Sequence, residues 1–411
     1  MNSKETANLI HYSRKRKGVS QKKLGEMTGI SHQIISRYEK GAEVPTEEKL
    51  QLILCVLGIE YEKINDYKRE IEKIFNKFFD ETFYRKANYL KYLDIIKKSK
   101  EKFSQTYNYY KIEIIELVCN ILINDFEDIE TKFSNIEKLD IDDLEALQIY
   151  NEYKGYYYLK RKNTKEGLEY LEKAKLMRFH EKTIAMIHYH MSFAYNYEWL
   201  RKTDAEYLLD AKNVFQKYYS LKRVSDCEMI LGNYYSTFRN FQKASICYEN
   251  RLRLLEVLGE NKINQAKTIS TIAYIYIQQK QYDKALKELD KAIVLNQKYI
   301  RIHLDYIWCY YKLGDINNAN RWIVKMDHFQ LDRELKMLWN LYEMIVAQYD
   351  KIPNDRLIEK AIKVYKYYKN QEDLDLSIFY IDIVIELLEK RKDYEKGFFY
   401  QKEKIFLLEN V

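Results

Sequence analysis

The sequence predicts an all-α protein, with a small head of short helices at its N-terminus and a long body of stacked helix pairs behind it. Three observations carry this. Only two prolines and 11 glycines occur in 411 residues; both residue types punctuate strands and loops, so their scarcity points to helix following helix through short turns. From about residue 66 apolar residues recur with a helical period in stretches separated by short polar turns. A small residue also recurs at Gly167, Ala205, Ala244, Ala285, Ala319, Ala361 and Gly397, spaced by 38, 39, 41, 34, 42 and 36 residues, which marks an internal repeat.

Composition sets limits on function. With 32% charged and 46% hydrophobic residues the chain can bury a core and is not disordered. The five cysteines, Cys55, Cys119, Cys227, Cys247 and Cys309, are scattered without a close pair, the pattern of reduced core thiols in a cytoplasmic protein. No basic-then-apolar leader opens the chain, and the longest apolar run, Leu52 to Ile59 around Gly58, is far short of a bilayer span. The protein is therefore expected in the cytoplasm, with no membrane partner. Residues 1–41 hold nine Lys/Arg against three acids, so +6 of the net +7 falls in the first tenth of the chain. A basic head on a nearly neutral body is an electrostatic footprint of nucleic-acid binding.

Within the head the helix signals come in order. Residues 5–17 form a first helix anchored by Leu9, Ile10 and Tyr12 and stopped by Gly18. Ser20 caps a second helix beginning at Gln21, with Leu24 and Met27 inward and Gly29 closing it; Ser31 caps a third, His32 to Lys40, ended by Gly41. Beyond Pro45, Thr46 caps a fourth helix with Leu50, Ile53, Leu54 and Leu57 as its core. Five short helices in about 65 residues, with a tight Thr28-Gly29-Ile30 turn, make a helix-turn-helix domain over residues 1–65.

The run VSQKKLGEMTGISHQIISRYEKG (Val19–Gly41), then Val44-Pro45 and LILCVLGI (Leu52–Ile59), resembles the lambda/434-type repressor, or Xre, family. The resemblance implies that the third helix enters the major groove of duplex DNA. It implies that Gln21 holds a backbone phosphate with its side chain and the helix N-terminus, and that Ser31, His32, Gln33, Ser36 and Arg37 face bases or phosphates. It also implies a buried Arg14–Glu39 pair tying the first helix to the third. Helical geometry agrees, since His32/Ser36 and Gln33/Arg37 are i, i+4 pairs on one face while Ile35 and Tyr38 turn inward. Gln suits adenine and Arg suits guanine by paired hydrogen bonds. The loop after Gly41 reads Ala42-Glu43-Val44 where some relatives are basic, leaving Lys40 and Lys49 as the cations nearby.

The body, residues 66–411, repeats a first helix with a small residue and an aromatic, a polar turn, and a second helix. Its clearest copy is TIAYIYIQQKQYDKALKELDKAI (Thr271–Ile293). These copies resemble tetratricopeptide repeats, which implies a right-handed α-solenoid with a concave peptide- or protein-binding surface. Mapping that family's groove positions onto this chain gives Tyr153 and Tyr156, then Ser192 and Tyr195 with Asn196 adjacent. Next come Met229, Asn233 and Thr237, then Ser270, Tyr274 and Gln278, and last Asp305, Trp308 and Lys312. Tyr195 and Asn196 exchange roles if the register of that unit slips by one. Asn233 is the first choice, because an amide pairs with both C=O and N–H of an extended peptide.

No phosphate loop, dinucleotide fingerprint, nucleophile motif or metal spacing appears; His188 and His190 are two apart and diverge on a helix. Neither cofactor, metal nor catalysis is expected. The combined architecture resembles the RRNPP peptide-sensing transcription regulators of Gram-positive bacteria and their phages. The resemblance implies a homodimer on a palindromic operator, gated by a short signalling peptide in the repeat groove. The alternatives are a DNA-binding regulator whose repeats bind a protein or only dimerise, and a phosphatase-like relative, a class that carries a three-helix bundle in place of the helix-turn-helix.

Overall fold

A computed structural model describes residues 3–139, 141–177, 180–193 and 202–409, with 202–204 described by backbone alone. Every described element is helical. Two compact units, 1–190 and 191–411, divide the chain.

The first unit opens with the head: α1 (Ser3–Arg16), α2 (Gln21–Thr28), α3 (His32–Glu39) and α4 (Glu47–Val56). Short side chains start three of these helices. Ser20 accepts from the Lys23 amide at 3.0 Å, Ser31 from Ile34 at 3.4 Å and Thr46 from Lys49 at 3.4 Å, each such cap contributing about 1 kcal/mol. Gly29 ends α2 at φ +70°, in the left-handed region where a Cβ is strained, and this lets α3 turn away within three residues. Leu9, Ile10, Leu24, Ile35, Tyr38, Ile53 and Leu54 close the core. Met27, expected inward, is 48% exposed. This two-turn helix packs along Leu24, Gly25 and Thr28 instead, and the Thr28 hydroxyl donates to the Leu24 carbonyl at 2.8 Å.

The fifth short helix expected for the head is a single 3₁₀ turn, Tyr61–Lys63, that runs directly into the 20-residue α5 (Ile64–Phe83). After it come α6 (Tyr89–Phe103), α7 (Tyr109–Ile123), α8 (Ile129–Glu137), α9 (Leu144–Lys160), α10 (Thr164–Leu176) and α11 (Glu181–Met191). One buried apolar cluster runs from Leu9 in α1 to Tyr157 in α9. The head is packed onto this body, not tethered to it. Tyr12 donates to the Lys138 carbonyl at 2.8 Å and stacks 6.4 Å from Tyr107. Lys68 reaches Glu5 at 2.6 Å, and the Glu60 amide donates to Gln105 at 3.1 Å.

The second unit holds α12 (Lys202–Lys217), α13 (Leu221–Thr237), α14 (Phe241–Val257), α15 (Lys262–Gln278), α16 (Tyr282–Leu295), α17 (Ile300–Lys312) and α18 (Ile316–Met326). It ends with α19 (Arg333–Ala347), α20 (Asp355–Asn370), α21 (Leu374–Arg391) and α22 (Tyr394–Glu409). The repeat has a local cause that can be read at each turn. Lys162, Arg239, Lys280, Gly314 and Lys392 all adopt positive φ just before a second helix. The next residue is Asn163, Asn240, Gln281, Asp315 or Asp393, and Asn163, Asn240 and Asp315 cap the helix that follows.

The recurrent small residue is the fourth of its helix in α10, α12, α14, α16, α18 and α22, and the seventh in α20. Ala244, Ala285, Ala319 and Ala361 are fully buried there, because a larger side chain would hold the paired helix away. Ala205 keeps the same place in α12 but is only half-buried.

Candidate DNA interface and repeat cavity

In the head, the core side chains of α3 leave one face outward. Ile35 and Tyr38 are buried, Ser31, His32, Gln33, Arg37 and Lys40 are exposed, and Ser36 is half-buried. Arg14 and Glu39 form a two-pronged pair, Nε to Oε1 at 2.5 Å and Nη2 to Oε2 at 2.8 Å. Their side chains are 6% and 2% exposed. Arg14 also donates to the Val19 carbonyl at 2.7 Å, which fixes the turn into α2. Burial alone would raise the Glu39 pKa, but hydrogen bonds from Arg14, Gln21 and His11 more than offset it, and the carboxyl stays below its ordinary value.

Gln21 sits differently from the expectation drawn from the resemblance. Its Nε2 donates to Glu39 at 2.8 Å, beside His11 Nδ1 at 3.0 Å, so that donor is occupied within the head in this arrangement. The backbone amides at the start of α2 stay in place for an anion. Glu43, in the loop after α3, lies 3.4 Å from Arg37 Nε, and Arg37 is 63% exposed. This carboxylate competes with any phosphate or base for Arg37. Replacing Glu43 with glutamine should therefore raise affinity for DNA roughly two- to fivefold, the scale of an exposed ion pair. Anisotropy titrations at low and physiological salt check this; unchanged or weaker binding would show that Glu43 does not restrain Arg37.

In the second unit, α15, α17, α19 and α21 enclose a cavity of about 150 Å³. Ser270 and Tyr274 enter from α15, Arg301, Asp305 and Trp308 from α17, Leu338 and Tyr342 from α19, and Leu376, Phe379 and Tyr380 from α21. The Trp308 ring lies 5.5 Å from both Tyr342 and Phe379, and Tyr274 lies 5.7 Å from Phe379. One turn along α15, Gln278 donates to both oxygens of Asp375, at 2.9 and 3.1 Å, and accepts from Arg239 at 2.5 Å. That network joins residues 97 apart in sequence.

Of the expected groove residues, the fold brings Ser270, Tyr274, Asp305 and Trp308 together around this cavity. Gln278 is engaged with Asp375, and Lys312 pairs with Glu386 while standing over the Trp308 ring at 4.8 Å. Met229, Asn233 and Thr237 stand on α13 and do not line it. Asn233 is exposed, and its carbonyl oxygen accepts from the Tyr248 hydroxyl at 2.8 Å. Gly232 makes that bond possible, since a Cβ there would lie 2.5 Å from the Tyr248 ring. Tyr195 and Asn196 lie outside the described residues. In the first unit, Tyr153 is only 2% exposed, and Tyr156 stacks on His190 at 4.1 Å. Tyr153 is thus a core residue and not groove wall.

The sequence mapping missed Arg301, Tyr342, Phe379 and Tyr380. It stopped at α17, although α21 carried a signal. LDLSIFYIDIVIELLEKR is apolar nearly all round, which marks a helix covered on several sides.

The head and the repeats together define a helix-turn-helix domain, of the Xre type, joined to a tetratricopeptide-like helical body. A family model described as "Helix-turn-helix" matches residues 10–64. The chain is 21% identical over 399 residues to the "Transcriptional activator NprA" of Geobacillus stearothermophilus, covering 83% of this chain and 98% of that protein. The "apo form of the quorum sensor NprR from B. thuringiensis" superposes with a TM-score of 0.62 at 15% identity, covering 83% of this chain and 99% of that one. NprR "in complex with its cognate peptide NprX" gives 0.55 at 16% identity, covering 82% and 99%.

Proposed function

We propose that the protein is a sequence-specific DNA-binding transcription regulator whose repeat body binds a short signalling peptide, and that the peptide sets its activity. The observation that carries the reading is the exposed, cationic and amide-bearing face of α3, held outward while Ile35 and Tyr38 anchor the helix in the core of the head. The resemblance to a transcriptional activator over most of both chains supports the same assignment. The fold shared with NprR, which is known in complex with a peptide, supports the peptide part. Residues 1–65 act as the DNA-binding domain and 66–411 as the receptor. Gln33 and Arg37 read bases, Ser31, His32, Ser36 and Lys40 hold register on the backbone, and the α2 N-terminus at Gln21 binds a phosphate. Asn233, Gln278, Tyr274 and Trp308, with Met229 and Thr237 beside them, contact the peptide. The protein works in the cytoplasm, where its DNA is.

One recognition helix reads only a few base pairs, so a homodimer on two half-sites is the economical design. The terminal helix α22 is suited to that contact. Tyr394, Phe398, Phe399, Ile405 and Phe406 are all more than half exposed on it, an unusual density of apolar surface. Replacing Phe398 and Phe399 with glutamate should give a monomer by sedimentation and weaken operator binding by more than tenfold; a dimer of unchanged affinity would place the interface elsewhere. The reading as a whole is tested by native mass spectrometry of protein purified from its host, together with operator titrations. A copurifying peptide that changes operator affinity is the expected result. No peptide, and no response to any peptide encoded near the gene, would overturn the gating.

A further inference from the structure

The wall of the cavity in the second unit carries one acid, Asp305, and one base, Arg301, and acids outnumber bases in the layer of side chains around them. Asp305 accepts from the Ser270 hydroxyl at 3.4 Å. The cation nearest to it, Arg301 on the same helix, pairs with Glu334, which also accepts from Tyr368 at 2.7 Å. On α21, Asp375 is held through Gln278 and faces Arg239, while Asp373 caps the helix and faces Arg301 and Glu334. Lys267 stands outside, 5.8 Å over the Tyr299 ring. Four carboxyls thus share two guanidinium groups. Burial pushes Asp305 up to about 7 and Asp375 to about 6, with Arg301 and Ser270 opposing the first, and Arg239 and Gln278 the second.

The walls around Asp305 are aromatic. Trp308, Tyr342, Phe379 and Tyr274 surround it, and the Tyr274 hydroxyl is buried without a hydrogen-bond partner. A carboxylate set among ring faces is what recognises a desolvated cation. An anionic group would find Arg301 already paired and would meet Asp305.

We propose that this cavity receives the cationic group of the bound peptide, either the head of a basic side chain or the N-terminal ammonium, between the Asp305 carboxylate and the rings of Trp308 and Tyr342. The Tyr274 hydroxyl accepts one of its N–H groups. This rests on the reading of the body as a peptide receptor and adds to it the charge that the peptide must present.

The test uses the full-length protein and follows the indole N–H resonance of Trp308, assigned by its loss in Trp308→Phe. Three probes are titrated at about pH 7.4, below the α-amino pKa of roughly 7.7–8.0: N-acetyl-arginine methylamide, leucine methylamide with a free ammonium, and N-acetyl-citrulline methylamide, the neutral isostere of the first. One cationic probe should move the resonance at roughly tenfold lower concentration than the citrulline probe, and whichever does so names the source of the cation. Asp305→Asn should abolish the preference for the cationic probe over the citrulline probe. Equal action of citrulline and arginine with no response to the ammonium, or no response to any probe at millimolar concentration, would overturn the proposal, and both readings need only the wild-type protein. The two layers fail separately. A copurifying peptide with no charge preference removes the cation site alone, whereas a cation-selective cavity in a protein whose operator binding ignores every peptide removes the gating.

Discussion

Replacing Gln33 and Arg37 together with alanine is expected to reduce binding to the operator to the level of random DNA. Each paired hydrogen bond to a base edge contributes about 1–3 kcal/mol of discrimination. Two together correspond to roughly 30-fold at the low end and more than 10⁴-fold at the high end. Both side chains are exposed and four residues apart on α3, while Ile35 and Tyr38 anchor the helix from beneath. The double variant should therefore fold normally, and its circular dichroism and melting should match the parent. Binding to random duplex should weaken much less, because the phosphate contacts at the α2 N-terminus and at Lys40 remain. Equal losses on operator and random DNA would mean that these two side chains touch phosphate only.

The second large effect is expected at Glu39. Changing it to alanine leaves the Arg14 guanidinium inside the head without its carboxylate, and removes the acceptor shared by Gln21 and His11. Breaking one side of a buried pair costs about 3–5 kcal/mol. The amides of α1 and α3 should lose hydrogen-exchange protection by two orders of magnitude or more, while those of α15 to α21 keep theirs. The same pair sets a pH dependence. Because the folded carboxyl lies below its ordinary value, its contribution is fully present above the unfolded glutamate pKa of about 4.3 and is lost as pH falls through the lower folded value. A fall in protection, measured against the intrinsic exchange rate at each pH, between pH 7 and pH 5 would contradict this.

Much of this was legible in the sequence, and the parts that were not share a cause. The caps Ser20, Ser31 and Thr46, the stop at Gly29 and the buried pair Ile35/Tyr38 follow from local periodicity and turn chemistry, which a short window contains. So does the small residue at the fourth position of the second helices, which fixed the repeat. What escaped depends on contacts between distant residues. Met27 lies three residues after Leu24, yet the packing stripe of so short a helix passes through Thr28. Tyr12 has the period of a head residue but its hydroxyl meets Lys138. Gln21 turns its amide to Glu39, a choice made by the buried pair and invisible within α2. The cavity draws part of its wall from α19 and α21, and no period in α15 or α17 announces that Phe379 will face Tyr274.

Selection of the full-length protein's binding sites from a pool of random duplexes tests the central claim most directly. The account predicts enrichment of a short inverted repeat whose half-site centres lie about 10 base pairs, or a multiple, apart. It also predicts that Arg37→Ala loses that enrichment while still retaining DNA in dilute salt. Failure of the folded parent protein to retain duplex of any sequence at low salt would contradict it.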